Sequence, residues 1–499
     1  MTAARRTLLT GALGLAGLGA LTACGGGSRA VGPRSAVVAS TEASRHARGQ
    51  VSTSMRAAPT TVDLGGVVVD TWAFGTAIPG PTLRVGAGQV LRVDVRNDLP
   101  TDTSVHWHGI RLRNDMDGVP MMTQDAIRPG GAFRYEFTAP NPGTYFFHPH
   151  VGVQLDRGLY GVLVVEDPHE PSRYDDEWVL VLDDWVDGTG RTPDDVLAGL
   201  TAGSSASDGG SSGGHGMGGM MGGSTSGMGG MASGGMGGMS GGGDVVYPHY
   251  LVNGRVPSDP DVLHARPGDR IRLRVVNAAS DTVFRLSLAG HRLTVTHSDG
   301  WPVEPVEGDA LLIAMGERYD LLATLGDGAF PLTAIPEGKD GQALALLRTA
   351  SGAPGIPATA AATSGTVLSL ESLRPLAGTT LGERSTDRTH DLVLSGSMNP
   401  YRWAINGRSF PDTDPLEVRS SERVSLAVSN MSMMVHPFHL HGHTFSVRGS
   451  GVRKDTVLLR PMQRLVLDLD ADNPGQWAAH CHNAYHAETG MMTTLGYVT

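Results

Sequence analysis

The sequence predicts an all-β protein built from three β-sandwich domains. Short β-branched runs interrupted by Gly and Pro recur through the 499-residue chain, and they favour strands over helices. A chain of this length can hold two to four domains. One strand-like pattern occurs three times in it, which predicts three domains.

The repeated pattern is a short alternating segment that ends in Asn. It begins at Gly88, Gly268 and Ser421, with apolar residues at positions +3, +5 and +7 and Asn at +9 in each copy. Alternation with period two indicates a half-buried strand, and Asn suits the turn that ends it. Nine residues after the Asn, the outer copies carry His-x-His, at 106–108 and 439–441, where the middle copy carries Leu-Ser-Leu.

A second pair of histidine segments also belongs to the outer copies. Asn-Pro-Gly at 141–143 leads to His-Pro-His at 148–150, and Asn-Pro-Gly at 473–475 leads at equal spacing to His-Cys-His at 480–482. A single His-x-His pair is easily a solvated strand face, since both rings project from one side of the strand. Four pairs at matching positions predict a metal cluster between the first and third domains, and imidazole suits copper. The middle domain is then mostly a spacer.

Cys481 lies between two of these histidines and is followed by His486 and Met491. On an extended strand its side chain points away from the face that carries the flanking histidines. A thiolate, imidazoles and a thioether are the ligands of a blue-copper site. One short segment is therefore predicted to serve two metal centres and to pass electrons between them.

The charge and the N-terminus indicate an exported protein without a nucleic-acid partner. The net charge is −11, and no basic stretch is present. Residues 1–24 contain Arg5-Arg6, a short apolar stretch and a segment ending in Ala23-Cys24 that resembles a lipoprotein cleavage box. We expect twin-arginine export and a lipid anchor on Cys24 at the outer face of the cytoplasmic membrane. The alternative is an ordinary signal peptide with an incidental cysteine.

The predicted organisation follows from these segments and from shifts in composition. The ranges are a signal at 1–24, a flexible tether at 25–50, domain 1 at 51–170, domain 2 at 171–355 with a Met/Gly-rich insertion at 203–243, a linker at 356–388, and domain 3 at 389–499.

Taken together, the motifs HWHG, HPH, HPFHLH and HCHNAYHAETGM resemble those of three-domain multicopper oxidases. GERYDLL at 316–322 and WAINGRSF at 403–410 are similar to segments of their middle and third domains. The resemblance covers about residues 50–499. It implies three cupredoxin-like Greek-key β-sandwich domains and four copper ions, one of type 1, one of type 2 and two of type 3.

The resemblance also implies the ligands, position by position. They are His436, Cys481, His486 and axial Met491 for type 1; His106 and His439 for type 2; and His108, His148 and His482 for one type 3 ion, with His150, His441 and His480 for the other. Beside Cys481, two acids are catalytic candidates. Asp117 matches an acidic position near the trinuclear site that relays protons or holds a water. Glu488 is the candidate second proton donor, because the position where copper efflux oxidases often carry an acid is Ala487 here.

Methionines indicate the reducing substrate. The tract at 203–243 has seven Met among Gly and small polar residues, and thioethers select Cu(I). A second group close to His436 supplies candidate Cu(I) ligands, namely Met431, Met433, Met434 and, more distant in sequence, Met398. Copper efflux oxidases place an acid where this chain has Ser432, so that ligand is expected to be lost. The alternatives are an unstructured insertion and an apolar rim around the type 1 site.

These observations predict a monomeric oxidase that converts Cu(I) to Cu(II), reduces O₂ to water and serves copper tolerance. A laccase-like oxidase of phenols or aromatic amines and a ferroxidase are alternatives within the same chemistry. A copper scavenger or a structural protein without catalysis is an alternative of another class, for which the full ligand set is superfluous.

Overall fold

The computed structural model describes residues 29–170, 173–203, 242–349 and 365–499, and it confirms the all-β fold. The predicted signal segment and nearly all of the Met/Gly-rich insertion lie outside the described residues. None of the helices in the described part of the chain has the length and apolar content needed to span a membrane.

Domain 1 encloses a core between two four-stranded sheets. Its elements, after helix α1 (Ala36–Ala43), are β1 (Gln50–Asp63), β2 (Val68–Phe74), β3 (Thr82–Gly86), β4 (Val90–Asn97), β5 (His106–His108), β6 (Ala132–Thr138), β7 (Gly143–His148) and β8 (Gly161–Glu166), with 3₁₀ turns at Asn114–Met116 and Gln154–Asp156. The sheet orders are β2-β1-β4-β6 and β3-β8-β7-β5.

Domain 2 is formed by two six-stranded sheets. Its elements are β9 (Asp176–Trp185), α2 (Pro193–Thr201), β10 (His249–Val252), β11 (Asp261–His264), β12 (Arg270–Asn277), β13 (Phe284–Leu288), β14 (Leu293–Ser298), β15 (Trp301–Gly308), β16 (Ala310–Ile313), β17 (Arg318–Thr324), β18 (Ala329–Pro336), β19 (Ala343–Arg348) and β20 (Val367–Leu368), with a 3₁₀ turn at Leu370–Ser372. The orders are β10-β9-β12-β17-β14-β15 and β11-β19-β18-β13-β16-β20. Because β20 pairs with β16, this part of the predicted linker at 356–388 belongs to the domain 2 sheet.

Domain 3 has a six-stranded and a five-stranded sheet. Its elements are β21 (Arg388–Met398), β22 (Tyr401–Ile405), β23 (Leu416–Val418), β24 (Arg423–Asn430), β25 (His436–Leu440), β26 (Phe445–Val447), β27 (Arg453–Lys454), β28 (Thr456–Leu459), β29 (Arg464–Asp470), β30 (Gln476–Cys481), α3 (Ala484–Glu488) and β31 (Met492–Tyr497). The orders are β22-β21-β24-β29-β26-β27 and β23-β31-β30-β25-β28.

The repeated pattern forms the same strand in all three domains. β4, β12 and β24 each pair in parallel with the first strand of their domain. Each ends in a buried Asn, and these are Asn97, Asn277 and Asn430. The Asn amide donates to at least two backbone carbonyls and its oxygen accepts the N–H two residues later. The segment that follows, which carries His-x-His in domains 1 and 3, therefore leaves the sheet at an equivalent place.

Residues 29–49 form an N-terminal strap, so the predicted flexible tether is wrong for its described part. Val38 is buried, and Ala30 bridges to Val498 beside β31 of domain 3. Glu42 accepts a hydrogen bond of 2.7 Å from the backbone N–H of Thr138 in domain 1. The Gly, Ser and Arg content suggested a tether, but Val31 and Val38 are both buried, and burial of their apolar surface favours docking of the segment.

Candidate metal centres

Eight imidazoles from domains 1 and 3 meet where β5 and β7 face β25 and β30. Their possible ligand atoms lie within 4.8 Å of one another in three sets. The sets are His106, His108 and His439; His108, His148 and His482; and His150, His441 and His480. The structure thus brings together all eight histidines of the four His-x-His pairs.

Strand register explains the convergence. His106 lies opposite His148 on the β5–β7 pair, and His439 lies opposite His480 on the β25–β30 pair. The two strand pairs then face each other, and the ring of His108 stacks on that of His439 with centroids 3.7 Å apart. Each domain therefore contributes half of one cluster.

The ring nitrogens of these histidines fit a bound metal. His106, His148 and His439 each place Nδ1 within 2.8–3.0 Å of a backbone carbonyl oxygen. Nδ1 must carry the proton to make these bonds, which leaves the Nε2 lone pair free. The three Nε2 atoms, like both ring nitrogens of His482, are buried with no hydrogen-bond partner among the described residues. Buried polar atoms without partners are costly, and several converging imidazole lone pairs are what a copper ion requires.

Burial also keeps the cluster in the protonation state that metal binding needs. Desolvation, with smaller contributions from neighbouring histidines, lowers the pKa well below its usual value for His108, His148, His150, His441 and His482, and lowers the pKa of His480 to about 3. Neutral imidazoles can bind metal at neutral pH without first losing a proton.

A second centre lies around Cys481. Its Sγ is 3.6 Å from Nδ1 of His436 and 3.7 Å from Nδ1 of His486, and all three residues are buried. The ring of Trp403 packs 4.0 Å from that of His486. Met491 is buried, and its backbone bonds to both Cys481 and His486. This set of thiolate, two imidazoles and neighbouring thioether fits blue copper.

In both histidines of the Cys481 centre, the ring nitrogen that faces away from Cys481 is hydrogen-bonded to an oxygen. Nε2 of His436 is 2.7 Å from Oγ of Ser432, and Nε2 of His486 is 2.8 Å from Oδ2 of Asp244. Asp244 also accepts a bond of 2.7 Å from the Tyr401 hydroxyl. These bonds leave Nδ1 of each ring to the metal.

Strand β30 connects the two centres. The backbone runs through His480, Cys481 and His482, and alternation sends the sulfur to one side and the imidazoles to the other. The two donor sets therefore share one covalent segment.

Asp117 lies inside the histidine cluster. Its Oδ2 accepts a bond of 2.9 Å from Nδ1 of His441, and its backbone oxygen is 2.9 Å from Nδ1 of His106. It is fully buried. One carboxylate thus orients a histidine of domain 3, while its own backbone orients one of domain 1.

A cavity of about 470 Å³ leads from the surface to the cluster. His148, His150 and His480 line it, together with the exposed side chains of Met121 and Glu488. The predicted acid Glu488 therefore lies on a path that water and O₂ can take.

The candidate Cu(I) ligands lie in the segment before β25 and at the end of β21. Met431 and Met433 are 55% and 64% exposed and flank Ser432, whereas Met434 packs partly against the core. Met398 is exposed at the end of β21, opposite Tyr401. The described residues of the predicted tract are only its two ends.

The sequence did not reveal Asp244, an acid of domain 2 that contacts His486 in domain 3. Asp244 is the first acidic residue after the Met/Gly-rich tract, and that position was the available signal. Nor did the sequence reveal Arg318 and Asp455, a buried ion pair against the cluster, although Arg318 belongs to the quoted GERYDLL motif.

Comparisons with known proteins agree with this geometry. Three family models, each described as multicopper oxidase, match residues 56–170, 225–352 and 384–497. The multicopper oxidase MmcO of Mycobacterium tuberculosis is 46% identical over 496 residues, which cover 97% of this chain and 95% of that protein.

Two further similarities extend over most of the chain. A copper resistance protein A homolog of Pseudomonas syringae pv. tomato is 29% identical, covering 87% of this chain and 90% of its own. A crystal structure of a multi-copper oxidase from Pseudomonas thermotolerans superposes with a TM-score of 0.66 at 27% identity, covering 90% of this chain and 99% of that one.

Proposed function

Because the chain belongs to the multicopper oxidase family, we propose that its reducing substrate is Cu(I) and that it serves copper tolerance. Enzymes of this family use copper, O₂ and a reducing substrate. In the proposed reaction, four Cu(I) ions each lose one electron, and one O₂ takes up four electrons and four protons to give two waters.

We assign the copper ligands from the donor sets. His436, Cys481 and His486, with Met491, would hold the type 1 ion; His106 and His439 would hold the type 2 ion; and His108, His148 and His482, with His150, His441 and His480, would hold the two type 3 ions. His108 belongs to two of the sets, and its assignment to type 3 follows the family pattern.

When bound, the copper ions supply the one-electron steps that connect the reducing substrate to O₂. The protein residues have separate tasks. Cys481 joins both donor sets through its own backbone, Asp117 orients His441 and His106, and the cavity that Glu488 lines admits water and O₂.

The observation that carries the choice of Cu(I) is the position of two exposed thioethers. Met431 and Met433 flank Ser432, whose hydroxyl is 2.7 Å from the outward nitrogen of His436. A soft cation held by these sulfurs would lie beside Ser432, which is itself one hydrogen bond from the type 1 ligand His436. Ser432 stands where copper efflux oxidases place an acid, and the buried carboxylate of Asp244 places a negative charge beside the other imidazole of the centre, that of His486.

Asp244→Asn tests that carboxylate. The amide can still accept from His486, but it removes a negative charge 2.8 Å from the ring nitrogen. Since that charge stabilises the more oxidised site, we expect the type 1 potential of the variant to rise. Asp391→Asn, at a carboxylate that is 77% exposed in domain 3, is the matched control. An unchanged potential would exclude an electrostatic effect of Asp244.

The donor itself is tested by O₂ uptake with Cu(I), Fe(II) and a phenol. A variant with all seven tract methionines replaced by Ser keeps the length of the tract and removes its thioethers. We expect a several-fold loss of rate with Cu(I) alone. Faster turnover of the phenol without added copper would favour a laccase-like enzyme, and faster turnover of Fe(II) would favour a ferroxidase.

We also propose that the enzyme is a monomer anchored through a lipid on Cys24 to the outer face of the cytoplasmic membrane. Support for export and for the anchor comes from the twin arginines and from the residues around Cys24. Cys24→Ser is expected to release the protein from the membrane fraction with its activity intact, and continued membrane association would contradict the anchor.

A further inference from the structure

The described part of domain 2 contributes none of the residues in the copper-ligand sets, yet one of its turns lies against them. The turn is Gly316-Glu317-Arg318, at the start of β17. Gly316 has φ +82°, and a Cβ there would lie 2.9 Å from ring atoms of His482 and 3.0 Å from one of His108. Only glycine allows the turn to approach the cluster this closely.

Arg318 extends from this turn into the interface between the domains. It is fully buried, and its two terminal nitrogens each donate a bond of 2.6 Å to one carboxylate oxygen of Asp455 in domain 3. Its Nε donates to the backbone oxygen of Thr144 in domain 1 at 3.2 Å. A paired fork of this kind fixes the direction of a carboxylate as well as its charge.

Asp455 in turn contacts one histidine of domain 1 and one of domain 3. Its Oδ1 is 3.3 Å from Nε2 of His108 and 3.5 Å from Nδ1 of His439, and its backbone oxygen is 3.0 Å from the same Nδ1. Gly109, next to His108, is needed here: a Cβ on it would lie 2.3 Å from Arg318 Nη2.

A second buried carboxylate holds the arrangement in place. Asp299 accepts the backbone N–H groups of Arg318, Asp455 and Thr456, at 2.9, 3.3 and 3.2 Å. Lys454, also fully buried, lies 3.2 Å from Asp299. Domains 2 and 3 are therefore joined by buried ion pairs and hydrogen bonds, which fix their relative position at this point.

We propose that Arg318 is a positioning residue for the histidine cluster. It holds Asp455, and through Asp455 it sets the orientation of His108 and His439. The middle domain is then more than a spacer, because it determines ligand geometry without supplying a ligand. The inference is independent of which reductant the enzyme uses.

The test is Arg318→Met in the copper-loaded full chain. We expect the type 2 electron paramagnetic resonance signal to weaken or change shape, the copper content to fall, and O₂ uptake to fall by about 10- to 100-fold. The blue thiolate-to-copper band should persist, because Arg318 makes no contact with Cys481 in the described structure. Arg272→Met is the matched control: Arg272 is another buried arginine of domain 2, paired at 2.5 Å with Asp320.

Two further variants keep the proposal testable if the Arg318→Met protein does not fold. Arg318→Lys keeps the charge but not the fork, and the double variant R318M/D455N removes both charges of the pair. We expect each to retain the blue band with an altered type 2 signal. The proposal is overturned if the type 2 signal and copper content of these variants match the parent, or if the blue and type 2 signals are lost together as in a general loss of structure.

Discussion

Replacing Cys481 with Ser is expected to abolish the blue absorption band and to reduce donor-dependent O₂ uptake to the level of the copper-free protein. The substitution is nearly isosteric at a fully buried site, so the fold should survive. It removes the soft thiolate that lies between His436 and His486, and a hydroxyl does not replace it as a ligand for blue copper. It also removes the sulfur through which β30 connects the Cys481 centre to the imidazoles of His480 and His482 in the described structure.

The measurement compares the blue band, the type 2 electron paramagnetic resonance signal and O₂ uptake in one preparation. The type 2 signal should remain, because the histidine cluster does not use the sulfur. Cys24→Ser is the matched control, since it removes the other cysteine of the chain. A C481S protein that stays blue, or that still consumes O₂ with Cu(I), would contradict the assignment of the centre.

Asp117→Ala is expected to lower O₂ uptake by about 10- to 100-fold, the usual effect of removing a residue that orients a metal ligand. Nδ1 of His441 loses its acceptor at 2.9 Å, so the ring is no longer held with Nε2 towards the metal. The blue band should be unchanged, because the loss is confined to the other centre.

Asp117→Asn separates two explanations of that loss. The amide can accept the same hydrogen bond but cannot carry a proton at neutral pH. A rate close to the parent would indicate that orientation is the main contribution, and a rate close to that of D117A would indicate proton transfer. Asp115→Asn is the control, because Asp115 lies in the 3₁₀ turn just before Asp117 and pairs with Arg113. If D117A reduces O₂ at the parental rate, neither explanation holds.

The histidine cluster could be anticipated from the sequence because its geometry follows from strand periodicity. A His-x-His pair has one possible arrangement on a strand, and a repeat ending in a buried Asn delivers the pair to an equivalent place in each domain. Cys481 facing away from its neighbours follows from the same alternation.

Asp244 and the strap could not be anticipated in this way. Asp244 reaches His486 from 242 residues earlier in the chain, and no periodicity relates an acid on one domain to an imidazole on another. The strap has only two well-separated valines to bury, Val31 and Val38, in a segment whose composition is that of a linker. Its structure depends on surfaces that exist only after domains 1 and 3 have formed.

The docking of the strap has a consequence for the order of folding. Gln476 donates to the backbone oxygen of Val31, 445 residues before it, and Thr499 bonds to Arg29. These two contacts cannot form until β31 and Thr499 have been synthesised. Until then only the contacts of the strap with the earlier domains can form, such as that of Glu42 with Thr138 in domain 1. The contact of the strap with domain 3 thus forms late, and protection of the Val31 backbone amide from hydrogen exchange would report its formation.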